Sequence, residues 1–259
     1  MPFYQYDSEK NRRIHYKVQG SKGPRLLLLH SSMSSLREWS AQLPLAQDVI
    51  LTLIDLPGHG ESDPIEESVT VPNLVNVVSC LLKGLDLIPV IPVGHSIGGA
   101  VAMQFALDFP SKVQALILIG TGAKLGVYPA ILEGLRLDYD RAINLTIGQM
   151  AFAKRTDPKL VEGAKHEALA CPPAVSLADF QACNAFDARE RLDEITVPTL
   201  ILVGAEDQLT PPKWSQYLNE HISNSRLEII PGAGHFVQQE RPQAVNQAIL
   251  TFLVDYNLG

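Results

Sequence analysis

Short apolar runs recur along the chain, with polar turns between them. They cover residues 25–30, 49–53, 90–93, 113–119, 199–203 and 227–230. Uninterrupted runs of this length are typical of strands that are buried on both faces, as in parallel sheets. Two earlier segments, 3–6 and 13–18, also have strand-like composition and are close enough to form an antiparallel hairpin at one edge.

Helical periodicity fills the gaps between these runs. In residues 71–85 the apolar side chains repeat close to every 3.6 positions, and three further helices are indicated at 97–108, 211–221 and 242–256. Strands and helices that alternate in this way imply right-handed crossovers between parallel strands. We therefore predict an α/β fold with a mostly parallel eight-stranded sheet flanked by helices.

The alternation stops between residues 121 and 194, where only helical patterns occur. They cover residues 129–137, 139–153, 158–170 and 173–186. More than seventy residues without a strand, set between two core strands, indicate an inserted helical lid. The predicted core domain is then residues 1–120 together with 195–259, and the lid is residues 121–194.

Composition narrows the class of protein. The chain has 259 residues and a net charge of −7, which argues against nucleic-acid binding, since phosphates require a basic surface. Its three cysteines, an odd number without C-x-x-C spacing, suggest free thiols. No targeting segment is recognised at the start, and charges and prolines interrupt the apolar stretch 71–93. We expect a cytoplasmic monomer or homodimer that acts on a small molecule and binds no membrane.

The strongest chemical signal is Gly94-His-Ser-Ile-Gly98, which follows a predicted strand and opens a predicted helix. This G-x-S-x-G pattern in a strand–turn–helix context is the nucleophile elbow, in which a sharp turn presents the serine hydroxyl. Glycines at both ends let the neighbouring elements approach closely. Ser96 is the predicted nucleophile, whereas the adjacent His95 is interpreted as a packing residue.

A serine needs a base, and the base needs a carboxylate that orients it. Of the seven histidines, His235 lies late in the chain, in a glycine-containing loop just beyond a predicted strand. Asp207 follows the strand at 199–203, and its neighbour Glu206 is the alternative. The order Ser96, Asp207, His235 is the one expected for a serine hydrolase on such a sheet.

An acyl-transfer site also needs backbone N–H donors for the oxyanion. One is predicted to be the N–H of Ile97, directly after the nucleophile. The second is assigned to Ser32, in the loop that follows the strand at 25–30.

Four blocks, 26–32, 55–62, 94–99 and 204–235, together resemble the α/β-hydrolase superfamily, in its branch of serine esterases, enol-lactonases and carbon–carbon hydrolases. The resemblance implies the α/β-hydrolase fold and chemistry without a metal or cofactor. It also argues against haloalkane dehalogenases and epoxide hydrolases, whose nucleophile is an aspartate. One position departs from the family: Ser31 stands where a glycine is usual, and a hydroxyl of Ser31 or Ser32 could assist the oxyanion.

Three functions remain open at this point. The first is hydrolysis of a small to medium, mostly apolar carboxylic ester, lactone or thioester through an acyl-enzyme on Ser96. The second is cleavage of a carbon–carbon bond in a diketone-like ring-cleavage product by the same residues. The third is a ligand-sensing signalling protein that retains the triad.

Substrate contacts are expected from apolar residues of the lid and from the residue after the histidine. The predicted pocket residues are Tyr128, Leu132, Phe152, Phe180 and Phe236. Three lid arginines, Arg136, Arg141 and Arg155, could receive a carboxylate, although a solvated helix face accounts for each of them.

Overall fold

A computed structural model describes residues 2–7, 9–65 and 68–258. Its eight strands form one sheet in the order β1-β2-β4-β3-β5-β6-β7-β8. The strands are β1 (Phe3–Asp7), β2 (Arg12–Gln19), β3 (Arg25–Leu29), β4 (Ile50–Ile54), β5 (Ile91–His95), β6 (Leu116–Ile119), β7 (Thr199–Gly204) and β8 (Ser225–Ile230). Strands β3 to β8 are parallel, while β1 and β2 form the antiparallel edge. The predicted α/β-hydrolase sheet is confirmed.

Helices cover both faces of the sheet. They are α1 (Val71–Gly84), α2 (Ile97–Asp108), α3 (Pro129–Leu137), α4 (Tyr139–Leu145), α5 (Pro158–Ala170), α6 (Pro173–Ala185), α7 (Pro212–His221), α8 (Val237–Glu240) and α9 (Pro242–Asp255). The sequence pattern missed α8 and a 3-10 segment at Leu36–Gln47. No helix in the described ranges combines the length and the apolarity needed to cross a membrane.

The continuous apolar runs are explained by burial on both sides. In β3, Leu27 and Leu29 pack into the core beneath α1 and α2, whereas Leu26 and Leu28 pack on the opposite face with α9. Successive side chains of a strand point to opposite faces, so a central strand needs apolar residues at every position.

Proline at position 92 lies inside β5, a central strand. Val90 pairs with Val113, and Val93, three residues later, pairs with Ile117, four residues later. The chain leading into β6 therefore has one extra residue opposite the part of β5 that contains Pro92. A proline has no N–H to donate to a neighbouring strand, and an irregular register of this kind accommodates it. On the other side Pro92 stays in register with Leu27 of β3.

The segment between β6 and β7, residues 121–194, forms helices and is called the helical insertion below. The helix predicted at 139–153 is shorter than expected: α4 ends at Leu145, and a π-helical turn covers Thr146–Met150. Gly148 lies in this turn, and glycine weakens helical structure. The insertion has its own apolar cluster, to which Met33 and Phe236 of the sheet loops contribute.

Candidate active site

Ser96 lies on a sharp turn between β5 and α2, with φ 55° and ψ −117°. Positive φ is costly for a residue with a Cβ, and such conformations concentrate at functional sites. A Cβ at Gly94 would lie 2.1 Å from the carbonyl oxygen of Gly98, and one at Gly98 would lie 2.2 Å from that of Leu29. Gly94 therefore lets β5 lie against the start of α2, and Gly98 lets the turn lie against β3.

His235 and Asp207 meet at the carboxyl end of the sheet. The His235 Nδ1–H donates to Asp207 Oδ2 over 2.9 Å. The Thr210 hydroxyl donates to the same oxygen at 2.7 Å, and the N–H groups of Leu209 and Thr210 donate to Oδ1 at 2.9 and 2.8 Å. The carboxylate is thus held by four donors, one of which is the imidazole that it orients.

Electrostatics favours the ionised form of Asp207. Burial by itself raises its pKa, but the His235 charge and the hydrogen bonds from His235 and Thr210 outweigh burial, so that the pKa is lowered. Glu206, the alternative carboxylate, is exposed and accepts the Lys154 N–H at 3.2 Å instead. Asp207 is the carboxylate that contacts His235.

The predicted oxyanion donors lie at the start of α2 and in the loop after β3. Ile97 is the first residue of α2, where helix N–H groups have no partner within the helix. Ser32 lines the same pocket as Ser96, and the next residue, Met33, has φ 59°. The Ser31 hydroxyl donates to Glu38 Oε2 at 2.6 Å. Its proton is therefore engaged by a buried carboxylate.

One pocket brings Ser96, His235 and Ser32 together. Of the five predicted pocket residues, Tyr128, Phe180 and Phe236 line it, whereas Leu132 and Phe152 do not. Phe152 lies behind the wall and stacks on Phe236, with ring centroids 5.0 Å apart. Sequence periodicity could not separate a wall residue from one directly behind it. Arg136, Arg141 and Arg155 are exposed and lie outside the lining.

The pocket is small and apolar. Its cavity volume is about 60 Å³. Among the described residues that line it, none is Asp, Glu, Lys or Arg. Cys183 is in the wall, where burial raises the pKa of its thiol and disfavours the reactive thiolate.

A second cavity of about 300 Å³ adjoins the first one. Met33, Ile147 and Phe236 line both cavities and so form a partition between them. The second cavity is more polar, and Arg37 and Lys159 line it.

Sequence reasoning missed residues that the fold brings to the site from distant segments. Thr210, which supports Asp207, carried no sequence signal because its role depends on how its loop folds back. His95 is more than a packing residue, because Nδ1 lies 2.8 Å from Glu38 Oε1 and Nε2 lies 2.9 Å from the His235 carbonyl oxygen.

In the described part of the chain, no group of three or more His, Cys, Asp and Glu side chains could hold a metal ion.

Together the fold and these residues define a hydrolase of the α/β class. A family model described as "Alpha/beta hydrolase family" matches residues 26–248, and the chain belongs to that family.

Sequence relatives include 3-oxoadipate enol-lactonase 2 of Acinetobacter baylyi, 29% identical over 90% of each chain. They also include a 2-hydroxy-6-oxononadienedioate/2-hydroxy-6-oxononatrienedioate hydrolase of Cupriavidus pinatubonensis. This relative is 28% identical over 95% of this chain and 92% of its own. Among solved structures, a thermophilic esterase is 35% identical, with a TM-score of 0.87 and coverage of 100% of this chain and 98% of its own.

Proposed function

We propose that this chain is a serine hydrolase that cleaves small, uncharged carboxylic esters through an acyl-enzyme on Ser96. The observation that carries the proposal is the His235–Asp207 hydrogen bond at a pocket that Ser96 also lines. The chain's similarity to an esterase over its whole length supports the same reaction class.

In the proposed mechanism His235 is the general base. Its Nδ1–H is donated to Asp207, which leaves Nε2 as the nitrogen that takes the Ser96 proton. The Ser96 oxygen then bonds to the substrate carbonyl carbon, and the N–H groups of Ser32 and Ile97 bind the resulting oxyanion. The tetrahedral intermediate collapses as His235 returns the proton to the leaving alcohol. Water, deprotonated by the same imidazole, then releases the acid and restores Ser96.

Pocket chemistry supports an uncharged substrate. A buried carboxylate needs a cation or several hydrogen-bond donors, and the described lining has no Lys or Arg. The oxoadipate and dienedioate compounds named for two relatives are carboxylates, for which the first cavity offers no cationic partner. Its volume of about 60 Å³ also favours a short acyl group.

The helical insertion is proposed to act as a lid over this pocket. Tyr128, Ile131, Ile147 and Phe180 of the insertion form one wall. The insertion also reaches the histidine loop directly, because the Ala151 carbonyl oxygen accepts the His235 N–H at 2.6 Å. Residues 121–194 would thus both exclude water from the acyl-enzyme and support the base.

Steady-state hydrolysis of matched p-nitrophenyl esters tests the proposal. We expect kcat/KM for the acetate and butyrate esters to be at least about tenfold higher than for a succinate monoester. Burial of the free carboxylate without a partner should cost roughly 1.4 kcal/mol or more of binding free energy, which corresponds to this factor. Ser96→Ala should lower kcat by at least about 10³-fold. Glu133→Gln, an exposed change on α3, is the matched surface control and should leave kcat unchanged.

Other outcomes point elsewhere. Preference for a vinylogous diketone over every ester would favour carbon–carbon hydrolysis. A single covalent event on Ser96 without further turnover would favour the sensing protein. Full activity in Ser96→Ala would refute the serine mechanism.

A further inference from the structure

A buried carboxylate that the proposed mechanism does not use lies behind the active site. Glu38 belongs to the 3-10 segment Leu36–Gln47, and its side chain is 0% exposed. Burial of a charge is costly unless hydrogen bonds satisfy it, so a carboxylate in this position calls for an account of its partners.

Glu38 joins three segments around the site. Its Oε2 accepts the Ser31 N–H at 3.1 Å and the Ser31 hydroxyl at 2.6 Å. Its Oε1 accepts the His95 Nδ1–H at 2.8 Å and the Gln238 amide at 3.1 Å. Ser31 directly precedes Ser32, His95 directly precedes Ser96, and Gln238 lies three residues after His235. One side chain therefore contacts the oxyanion loop, the nucleophile elbow and the helix after the base.

The charges within this cluster are complementary. Burial by itself raises the pKa of Glu38, but the charge and hydrogen bond of His95 outweigh it and lower the pKa to about 2. The second His95 nitrogen, Nε2, lies 2.9 Å from the His235 carbonyl oxygen. Each His95 ring nitrogen thus lies within hydrogen-bond distance of an oxygen, Glu38 Oε1 for Nδ1 and the His235 carbonyl for Nε2. The Glu38–His95 contact thereby extends to the backbone of the proposed base.

We propose that Glu38 is a positioning residue that holds the Ser31–Ser32 loop in register with Ser96 and His235. This inference rests on the proposed function. It also explains the departure at position 31: a glycine could offer Glu38 only its N–H, whereas Ser31 adds a second, shorter bond through its hydroxyl. The Ser31 hydroxyl serves the loop's position and does not act on the oxyanion itself.

Glutamine cannot replace Glu38 in this role. The carboxylate accepts from two donors on each of its oxygens, whereas a glutamine amide has one oxygen and one NH₂ group. An NH₂ group on the Ser31 side faces the Ser31 N–H, which can only donate, and an NH₂ group on the His95 side faces the Gln238 amide, so at least one bond of the cluster is lost in either orientation. Glu38→Gln is therefore an isosteric change that separates Ser31 from His95 without creating a cavity.

The decisive measurement compares turnover with binding of a transition-state analogue. We expect Glu38→Gln to lower kcat on p-nitrophenyl acetate by about 10²-fold, the scale of a small misplacement of catalytic groups, with KM changed by less than about threefold. The Ki of an aryl trifluoromethyl ketone, which forms an oxyanion on Ser96, should rise by a similar factor of about 10². Ser31→Ala should lower kcat by about tenfold, since its N–H contact to Glu38 remains.

A double-mutant cycle separates positioning from general destabilisation. Because Ser31 and Glu38 act through one contact, the double variant should lose no more kcat than Glu38→Gln alone. Val78→Ala, in the buried face of α1 and in the core on the opposite side of the sheet from the Glu38 segment, is the control: it should lower the free energy of unfolding and leave kcat and Ki unchanged. If Glu38→Gln does not fold, Ser31→Ala serves as the test variant. Its kcat should fall and its Ki should rise by similar factors.

Three results would decide against the inference or its basis. A folded Glu38→Gln with wild-type kcat and Ki overturns the positioning role. Additive losses in the double variant overturn the shared contact. Activity that survives Ser96→Ala refutes the proposed function itself, and this outcome is independent of the other two.

Discussion

His59 and Asp179 form a buried ion pair that connects the core to the helical insertion, and its removal should be measurable. His59 lies in the turn after β4 and Asp179 lies in α6, with side chains 1% and 2% exposed. His59 Nε2 is 3.0 Å from Asp179 Oδ2, although the N–H is not aligned for a hydrogen bond. We choose Asp179→Asn, which keeps the side-chain shape and removes the anion.

The pKa of His59 indicates the charge on the ring. Burial by itself lowers this pKa, but the charge of Asp179 outweighs burial and, with a smaller effect from the Cys171 thiol, raises it well above 6.5. The neighbouring His30 ring, 5.0 Å away, has a pKa lowered by burial and by the His59 charge, so it stays neutral. The pair is thus an imidazolium facing a carboxylate.

Loss of one partner of a buried ion pair costs about 3–5 kcal/mol. Because His59 can release its proton once the anion is gone, we expect the lower end, about 3 kcal/mol, equivalent to a melting temperature lower by roughly 6–12 °C. A raised pKa in the folded state means that the stabilisation is fully present below about pH 6.5 and is lost as the pH rises through the folded value. The cost of Asp179→Asn should therefore shrink as the pH rises.

Urea unfolding of wild type and Asp179→Asn at pH 6 to 10 measures this cost. The matched control is Asp187→Asn at the end of the helical insertion, where the carboxylate pairs with Arg189 and is 34% exposed. Solvent screens an ion pair at the surface, so Asp187→Asn should leave the urea midpoint nearly unchanged. A cost of Asp179→Asn that stays below about 0.5 kcal/mol at pH 6, or that grows with pH, would refute the reasoning.

Two further predictions concern the active site. Asp207→Asn should lower kcat by about 10³–10⁴-fold, because the imidazole loses the partner that fixes its tautomer. Glu206→Gln should leave kcat within about twofold of the wild-type value. Equal losses of kcat from the two changes would contradict the assignment. Ile147→Ala should open the partition between the two cavities and raise kcat/KM for p-nitrophenyl octanoate relative to acetate by about tenfold, as measured on the purified variants. An unchanged acyl-chain preference would show that Ile147 does not limit the pocket.

Much of the fold could be read from local patterns. Apolar runs such as 199–203 indicate strands that are buried on both faces, and the spacing in 71–85 indicates a helix with one buried side. These patterns predicted where the strands and helices lie along the chain. The nucleophile elbow was also local, since Gly94 and Gly98 are near Ser96 in sequence. These predictions succeeded because backbone sterics and the repeat of apolar residues act over a few positions.

Only the tertiary structure decided which side chains meet across the loops. Glu38 lies in a segment for which the sequence predicted no element, yet the fold places it against Ser31 and His95. Likewise, Tyr128 and Leu132 were both predicted to line the pocket, but only Tyr128 does. A polar group can be buried only where hydrogen-bond partners meet it, and here those partners come from distant parts of the chain. A local sequence pattern does not show which distant residues lie close together in space.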